Sequence, residues 1–547
     1  MEQAACRCMV LAMQLARVKL VNIFLCAFDN FLATARTCYS SKGIVEPEAV
    51  RLPEHGPQEE KEKLLARNRA LARSLYEAGH HTTLQHTHVQ FALEGVSRQF
   101  IWSFLHSHPF YNSEQVSQRY VAAAPESFYI PANLSEPAQR RYQEALQRRM
   151  EDYEALCKIL EEPVAGEYYQ RFTGRRGSKR AAIEIRRKAQ EIARYVLPVA
   201  ALAYLYHTVS LVTLFRYWRL ANEFDTPTEQ RDVVGAMIEA VLEREPEFRH
   251  ILEDPLPLEE TPEFAFFAER REYAFFTASR RWEVDAENAR QFIEEFDREL
   301  GPLSSRLVDF GSRNEQVIAD AVRDVLAMPS SQLDDDTAIE LVLNPARNPL
   351  MGEALNLSMH SKLGRVLFHA RYTFRKKLSH VADSQDQRHR LTPGSRPILM
   401  RHYTGRPDYY LPPLVAQIPQ ARELYERAMQ EQWEIMNELL AGGESAEDVS
   451  YLLPNAVNIR FTESADLVGL HHKMAMRLCY NSQEEIWRAC LEEAEAISRV
   501  HPRIGRWLLP PCTLRKQAGH APYCPEGERF CGVAVWRLDR SAYKRMI

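Results

Sequence analysis

Long apolar runs are absent from the sequence. A helix that spans a bilayer needs about 20 predominantly apolar residues, and no comparable uncharged stretch occurs, so no membrane association is expected. The most apolar opening segment, residues 9–28, is interrupted by Arg17 and Lys19. Its centre, residues 20–25, is more typical of a buried strand than of a signal segment.

A surplus of positive charge is also missing, since 69 Lys and Arg face 74 Asp and Glu and the formal net charge is −5. A protein that mainly coats nucleic acid needs such a surplus to neutralise phosphates, so this class is excluded. Residues 171–188 are locally basic, and a solvated loop with a helix start is favoured over a nucleic-acid patch. A basic site for a small phosphorylated molecule remains compatible with the overall balance.

Regularly spaced cysteines are lacking, because the ten cysteines are scattered except near the two ends. This pattern argues against a disulfide framework and favours a reducing cytoplasm. Near residue 520, however, three thiols and an imidazole lie in a Pro/Gly-rich segment and could hold zinc tetrahedrally; they are Cys512, His520, Cys524 and Cys531. Their spacing is not that of a C-x-x-C knuckle, so an unliganded coil is the alternative. A Gly-rich dinucleotide fingerprint is missing too, which argues against a Rossmann dehydrogenase.

Helical patterns dominate, and the few strand patterns do not alternate regularly with them, so the sequence predicts an α+β fold. Strands are predicted at residues 18–24, 88–93 and 533–536. A buried helix that Pro198 must kink or divide is predicted over 183–220. Amphipathic helices are predicted over residues 136–161, 229–242, 286–300, 314–328, 420–440 and 483–500.

A weak internal repeat divides the chain. Ser117-Gln118-Arg119-Tyr120 is matched by Asp386-Gln387-Arg388-His389, Leu197-Pro198 by Leu453-Pro454, and Trp218-Arg219-Leu220 by Met476-Arg477-Leu478. We therefore expect a first domain at 1–250, a linker with bridging helices at 251–310, a second domain at 311–510 and a Cys/Pro-rich tail at 511–547.

The segment 82–120 has the highest density of polar side chains. A strand pattern and a helix-like stretch are followed by a loop with His106, His108, Asn112, Ser117 and Arg119. Polar side chains on a loop after rigid elements are typical of a ligand site. A surface loop with local Ser and Asn turns is the alternative interpretation.

This segment resembles the signature of flavin-dependent thymidylate synthases, R-H-R-x-x-S-x-N-E-x-S-x-R-Y. The end of the signature falls on Ser117-Gln118-Arg119-Tyr120; in strict register its N-E pair falls on Glu114-Gln115, and a short insertion would move it to Asn112 and Glu114. Ala193-Arg194 through Pro198 resembles the family's A-R-x-x-L-P, and Trp218-Arg219 falls at its L-R. The fold implied is two tandem copies of the family's helix-rich α+β fold.

The resemblance also implies site residues. Ser117, Arg119 and Arg194 would bind deoxyuridine monophosphate (dUMP), with Glu114 and Gln115 beside them, and Arg219 would stabilise charge at the uracil carbonyl, which makes Arg219 and Ser117 the catalytic candidates. Guanidinium forks and a hydroxyl suit a dianionic phosphate and a uracil ring. His80, Thr82, His86 and His108 fall at cofactor-binding positions. For each single Arg, a salt bridge on a helix face is the alternative.

Two departures from the family concern its flavin site and its second copy. The R-H-R triplet, which the family uses against flavin, falls on Ser107-His108-Pro109 in the first half. In the second half, Asp386 replaces the serine and Ser450 falls at the place of Arg194, while Arg365, Arg388 and Arg477 remain. The polar stretch 380–390 could be a solvated loop or could complete the site of the first copy, because sites in this family form between subunits.

The resemblance implies an FAD-dependent methyltransferase that converts dUMP to dTMP with methylenetetrahydrofolate and NADPH. The alternative is a non-catalytic nucleotide-binding or scaffold descendant that has lost the flavin site. Because the family builds its sites between four subunits, a chain with two copies is expected to form a homodimer equivalent to a tetramer.

Overall fold

The computed structural model describes residues 16–106, 108–123, 127–269, 286–545 and 547. Ser107 and residues 270–285 of the predicted linker lie outside the described residues. No helix in the described ranges is long and apolar enough to cross a membrane.

Two four-stranded antiparallel sheets organise the chain, with strand orders β1-β2-β4-β3 and β5-β6-β8-β7. The identical order in two successive halves confirms the tandem repeat. The second sheet begins at residue 305, inside the segment that the sequence analysis assigned to the linker. The strands are β1 Arg17–Ile23, β2 His88–Ser97, β3 Tyr111–Gln115, β4 Leu202–Ser210, β5 Ser305–Phe310, β6 Arg371–Ser379, β7 Gly394–Ser395 and β8 Asn458–Asp466.

Helices surround both sheets. In the first repeat they are α1 Ala27–Thr37, α2 Gln58–Glu77, α3 Arg98–His106, α4 Glu136–Arg171, α5 Lys179–Ala193, α6 Leu211–Arg219 and α7 Pro227–Arg244. Two helices, α8 Pro262–Glu269 and α9 Ala286–Leu300, follow it. The second repeat and tail contain α10 Asn314–Leu326, α11 Asp335–Leu343, α12 His380–Asp386, α13 Pro413–Gln417, α14 Pro419–Ala441, α15 Ala446–Ser450, α16 Leu467–Arg477, α17 Glu484–Val500, α18 Pro502–Gly505 and α19 Pro511–Gln517.

The six predicted amphipathic helices are confirmed, but the buried helix over 183–220 is wrong. Strand β4 occupies its centre, between α5 and α6. Ala203, Leu205, His207 and Val209 face the core at every second position, while Tyr204 and Tyr206 point outward and are exposed. The outward aromatic residues hid the period-2 pattern within an apolar run. The strand predicted at 533–536 is also wrong, because a 3₁₀ turn covers Val535–Arg537.

A local two-fold relation joins the repeats at Pro198 and Pro454, which form an antiparallel bridge with each other. On either side, Val199 N donates to Leu453 O at 2.8 Å and Asn455 N donates to Leu197 O at 2.8 Å. These reciprocal bonds are those of an isologous dimer interface, here made within one chain.

The same two-fold relation appears in buried side chains. Tyr195 Oη donates to Glu485 Oε2 at 2.7 Å, and its mate Tyr451 Oη donates to Glu229 Oε2 at 2.9 Å. Each glutamate also accepts from a serine at the end of β2 or β6, Ser97 or Ser379. These contacts fix which residues of the two repeats correspond.

The largest apolar core crosses the boundary between the repeats. It includes Tyr142, Leu146 and Leu156 of α4 together with the core of the second repeat, whereas the first sheet has a separate core around Phe91 and Phe100. Helices α4 and α14 pack against each other across this boundary, where the buried Arg149 pairs with Glu431 at 2.8 Å. Since the repeats share a core, they are expected to fold as one unit.

Candidate functional site

Four arginines converge where the repeats meet: Arg98, Arg119 and Arg194 from the first repeat, and Arg477 from the end of α16 in the second. We call them the inter-repeat arginine cluster. Their charges act on one another, because Arg194 lowers the pKa of Arg98, and Arg119 lowers the pKa values of Arg194 and Arg477. Burial is the larger cause of each shift and brings the pKa of Arg98 to about 10.

Each arginine of the cluster is anchored on one side. Arg119 donates to Glu191 Oε2 at 2.5 Å and to Asn481 O at 2.6 Å. Arg194 Nη2 donates to Gln483 Oε1 at 3.0 Å, and Arg477 Nη2 donates to Gln385 O at 2.7 Å. Asn481 and Gln483 of the second repeat therefore hold Arg119 and Arg194 of the first, whereas Arg477 is held within its own repeat.

Three buried donors of the cluster have no hydrogen-bond partner, namely Nε of Arg98, Arg194 and Arg477. A buried N–H that is left without an acceptor costs about 1–3 kcal/mol, more on a charged group, and calls for an explanation. An anionic ligand would supply the acceptors. The cluster thus fits a phosphate-bearing molecule by the chemistry of its donors.

The structure brings most of the predicted nucleotide residues to this cluster. Ser117 Oγ accepts from Arg119 N at 3.3 Å, and Gln115 Oε1 accepts from Arg98 Nη1 at 3.0 Å. Glu114 lies at the edge, where its carboxylate pairs with Arg388 at 3.0 Å. Ser117, Arg119, Arg194, Gln115 and Glu114 therefore line one region of the inter-repeat boundary.

Arg219 is not brought to the cluster. Its guanidinium donates to Asp254 O at 2.6 Å and pairs with Glu253 at 3.3 Å, and none of its described contacts is with the cluster residues. The correspondence between the repeats explains the difference. Glu229 of α7 corresponds to Glu485 of α17. Counting back along the sequence from these two glutamates makes Ala475 the counterpart of Arg219 and Ala221 the counterpart of Arg477. The sequence match of Trp218-Arg219-Leu220 to Met476-Arg477-Leu478 was two residues out of register, and Arg477 occupies the position beside Arg119.

A cavity of about 280 Å³ lies next to the cluster. Its walls are Gln90, Asn112, Gln115 and Thr208 from the first sheet and Arg388 and Arg390 from the second repeat. Arg390 Nη1 donates to Asn112 Oδ1 at 3.0 Å. Because Arg388 also acts electrostatically on Arg477, the cavity and the arginine cluster are neighbours.

The two cavity arginines belong to a triplet that the sequence analysis aligned wrongly. Gly394 pairs with Glu463 in β8 as Ser113 pairs with His207 in β4, and counting back from these positions sets Arg388-His389-Arg390 against Ser107-His108-Pro109. The R-H-R triplet that is missing from the first repeat is therefore present in the second. The triplet can be read directly in the sequence, but it was overlooked because Arg388 had been aligned with Arg119.

Asp386 is likewise not in the position of Ser117. It is fully buried beneath the loop, where its carboxylate pairs with Lys376 at 2.6 Å and Lys473 at 3.0 Å. Glu463 and Glu493 complete this group of two ammonium and three carboxylate groups. The lysines hold the pKa of Asp386 well below its usual range, so it does not place an unpaired charge beside the phosphate site.

The histidine candidates for cofactor binding are not gathered at the cavity. His80, Thr82 and His86 are exposed on the turn before β2, where His80 O accepts from Thr83 Oγ1 at 3.1 Å. His108 is bonded to Tyr217 Oη at 2.6 Å, and burial lowers its pKa to about 4. These contacts describe local turn and packing roles.

The tail does not form the predicted zinc site. His520 points to Glu353, 3.6 Å away, and Cys512, Cys524 and Cys531 line a small cavity with Cys479 instead. No group of three or more His, Cys, Asp or Glu in the described ranges is arranged to hold a metal ion. Burial raises the pKa of Cys512 to about 11, which keeps this thiol neutral near pH 7.

Comparison with known proteins assigns the family. The family model described as thymidylate synthase complementing protein matches residues 20–247 and 306–503, which together exceed half of the chain. The chain belongs to this family. The two matched segments coincide with the two repeats, so the duplication is a duplication of the family's domain.

Individual members of this family match one part of the chain. A flavin-dependent thymidylate synthase from Sulfurisphaera tokodaii is 35% identical over 28% of this chain and 59% of its own length, and one from Geobacter sulfurreducens is 32% identical over 32% and 75%. The chain thus spans less than two thirds of the former relative. A solved UMP/dUMP methylase from Streptomyces cacaoi, bound with 5-Br dUMP, has 20% identity and a TM-score of 0.29, covering 43% of this chain and 94% of that one.

Proposed function

We propose that the protein is an FAD-dependent thymidylate synthase that methylates dUMP to dTMP. The observation that carries the proposal is the inter-repeat arginine cluster with its three unpaired buried donors. Relatives that are 35% identical over 28% of this chain and 32% identical over 32% of it are named flavin-dependent thymidylate synthases, which supports the same chemistry. The one-carbon unit comes from methylenetetrahydrofolate and two electrons come from NADPH, so that tetrahydrofolate and NADP⁺ are the other products.

In this proposal Arg119 and Arg194 bind the phosphate of dUMP, and Ser117 donates to it. Both guanidinium groups are anchored by the opposite repeat, which fixes their direction before the ligand arrives. Such pre-organisation reduces the entropy that binding must overcome. Arg477 takes the role at the uracil carbonyl that the sequence analysis gave to Arg219, because its charge is buried beside Arg119.

The cavity lined by Arg388 and Arg390 is the proposed flavin site. Two guanidinium groups at its rim suit the pyrophosphate of FAD, and polar side chains of the first sheet, Gln90 and Thr208, offer hydrogen bonds to a ring. Bound flavin supplies hydride transfer, for which the described site offers no protein group. The residues of this chain hold the nucleotide and shield it from water next to that ring.

Activity is tested by incubating the purified protein with FAD, NADPH, methylenetetrahydrofolate and dUMP and separating dTMP by chromatography. We expect dTMP to form and to fall at least tenfold with Arg119→Ala. Arg365→Ala is the matched control, because Arg365 is exposed and lies outside the cluster and the cavity. A protein that binds dUMP without bound flavin and forms no dTMP would instead support the non-catalytic descendant.

Assembly as a homodimer belongs to the same proposal. Tyr206 on β4, which lines the cavity, is a large exposed side chain, as are Tyr204 on the same face of β4 and Phe110 before β3, and a second chain would cover them. Light scattering is expected to give twice the chain mass of 63.3 kDa. A value of one chain mass would contradict this part of the proposal and leave the arginine cluster unaffected.

A further inference from the structure

The two-fold relation between the repeats implies a second position equivalent to the inter-repeat arginine cluster. Main-chain and side-chain bonds are repeated on both sides of Pro198 and Pro454, so every residue of the cluster has a mate in the other repeat. In a symmetric dimer, such a mate position would be a second copy of the same site.

The mate position has lost each of the ligand-binding side chains. Arg194 corresponds to Ser450 through the paired tyrosines, Tyr195 and Tyr451. Arg477 and Gln483 correspond to Ala221 and Pro227 through the paired glutamates. Arg119 corresponds to Met400, because Tyr410 N donates to Ala456 O as Tyr129 N donates to Ala200 O.

Carboxylates are retained at the mate position, although the mates of Arg119, Arg194 and Arg477 are not arginines. Glu447, the mate of Glu191, accepts from Thr228 N at 2.7 Å and from Thr228 Oγ1 at 3.1 Å. Asp225 accepts from Leu399 N at 2.8 Å, and burial raises its pKa to about 6. Arg396, which falls opposite Gln115, already pairs with Asp383 at 2.8 Å, so the mate position offers acidic groups but no counterpart of the arginines proposed to bind the nucleotide, Arg119, Arg194 and Arg477.

We propose that the chain carries one dUMP site, assembled from complementary halves of its two repeats, and that the mate position binds no nucleotide. The first repeat supplies Arg119 and Arg194, and the second supplies Arg477. The inference rests on the proposed function for the identity of the ligand. What the inference adds is the number of dUMP sites per chain and the difference between the two related positions, and the duplication by itself determines neither.

The asymmetry has a measurable consequence for single variants. If the three arginines serve one site, Arg119→Ala and Arg477→Ala each weaken all of the dUMP binding, although they lie in different repeats. If each repeat had its own site, each substitution would remove only the half that contains it. Ser450→Ala, at the mate position of Arg194, is the matched control and leaves binding unchanged.

The test is isothermal titration of the full-length protein with dUMP, supported by thermal melting of each variant. We expect one dUMP per chain, a roughly 10- to 100-fold rise in the Kd of that single site in the Arg119→Ala and Arg477→Ala proteins, and an unchanged stoichiometry in Ser450→Ala. Arg477→Met, which keeps the volume of the side chain, replaces the alanine variant if that protein does not fold. Two nucleotides per chain, or half of the binding left in either arginine variant, would overturn the inference while leaving the proposed function intact. A protein that binds no dUMP would overturn both.

Discussion

At the scale of single residues, the exact position of an arginine at the end of its helix decides whether it reaches the nucleotide site. Helix α6 ends at Arg219 and α16 ends at Arg477, and the repeat correspondence places these residues two positions apart. Side chains two positions apart on a helix differ by about 200° in direction, so the arginines of two similar sequence motifs lie in different surroundings. The sequence showed Ser117, Arg119 and Arg194 correctly as neighbours, whereas the partner from the second repeat required the three-dimensional register.

Arg477→Ala is therefore expected to weaken dUMP binding far more than Arg219→Ala. Removing a charge-assisted hydrogen bond costs about 1.5–3 kcal/mol, which corresponds to roughly a 10- to 100-fold rise in Kd. Arg219 pairs with Glu253 near the surface, so its replacement should change Kd less than about twofold. Equal losses in the two variants, measured by titration calorimetry, would contradict this assignment.

Arg388→Ala and Arg390→Ala are expected to weaken FAD binding by about tenfold or more each, because both guanidinium groups line the cavity. Fluorescence titration with FAD measures the effect, and raising the salt concentration should reduce the difference between wild type and variants. Arg365→Ala serves as the control. Unchanged FAD affinity in both cavity variants would contradict the assignment of the flavin site to this cavity.

At the scale of elements, sequence periodicity identified six of the helices, missed the long helix α2 and missed most of the strands. Helices over 286–300 and 420–440 carry a clear apolar stripe, whereas β4 has two tyrosines on its outward face, which conceal the alternation of inward and outward residues. Strand β6 was hidden for another reason, because Lys376 points inward, against the rule that charged residues face water. Its three carboxylate partners come from distant segments, and no local pattern reveals them.

Lys376 and Lys377 offer a matched test of that arrangement. Lys376 is fully buried among three carboxylates, while its neighbour Lys377 lies on the other face and pairs with the half-exposed Asp297 at 2.8 Å. Lys376→Met is expected to lower the free energy of unfolding by about 3–5 kcal/mol, because it leaves buried carboxylates short of a partner.

Lys377→Met should cost less than about 1 kcal/mol, since a partly exposed ion pair contributes little. Urea unfolding followed by circular dichroism measures both values. Similar losses for the two substitutions would show that the buried group contributes no more than a surface pair.

At the scale of the whole molecule, the duplication converts a subunit interface into an internal boundary. The repeat was visible in the sequence at Leu197-Pro198 and Leu453-Pro454, which proved to be its centre. The bonds across this centre include two buried carboxyl groups, Glu229 and Glu485. Burial raises the pKa of each to about 7, although serine and tyrosine donors oppose the shift.

These two groups predict a pH dependence of stability. Between the unfolded pKa near 4.5 and the folded pKa near 7, the folded protein retains protons that the unfolded chain has released, so stability falls as the pH rises through this window. Glu485→Gln removes one titrating group, and the loss of stability between pH 5 and pH 7.5 should shrink by roughly 1–3 kcal/mol. Melting curves across this range measure it, and an unchanged slope would contradict the assignment.

The position of dUMP itself tests the central claim most directly, namely that the nucleotide site is built from both repeats. A crystal structure of the protein with dUMP is the measurement. We predict one nucleotide per chain, with its phosphate within hydrogen-bond distance of Arg119 and Arg194 of the first repeat and its uracil ring beside Arg477 of the second. A nucleotide bound beside Arg219, or held by residues of a single repeat, would contradict the account.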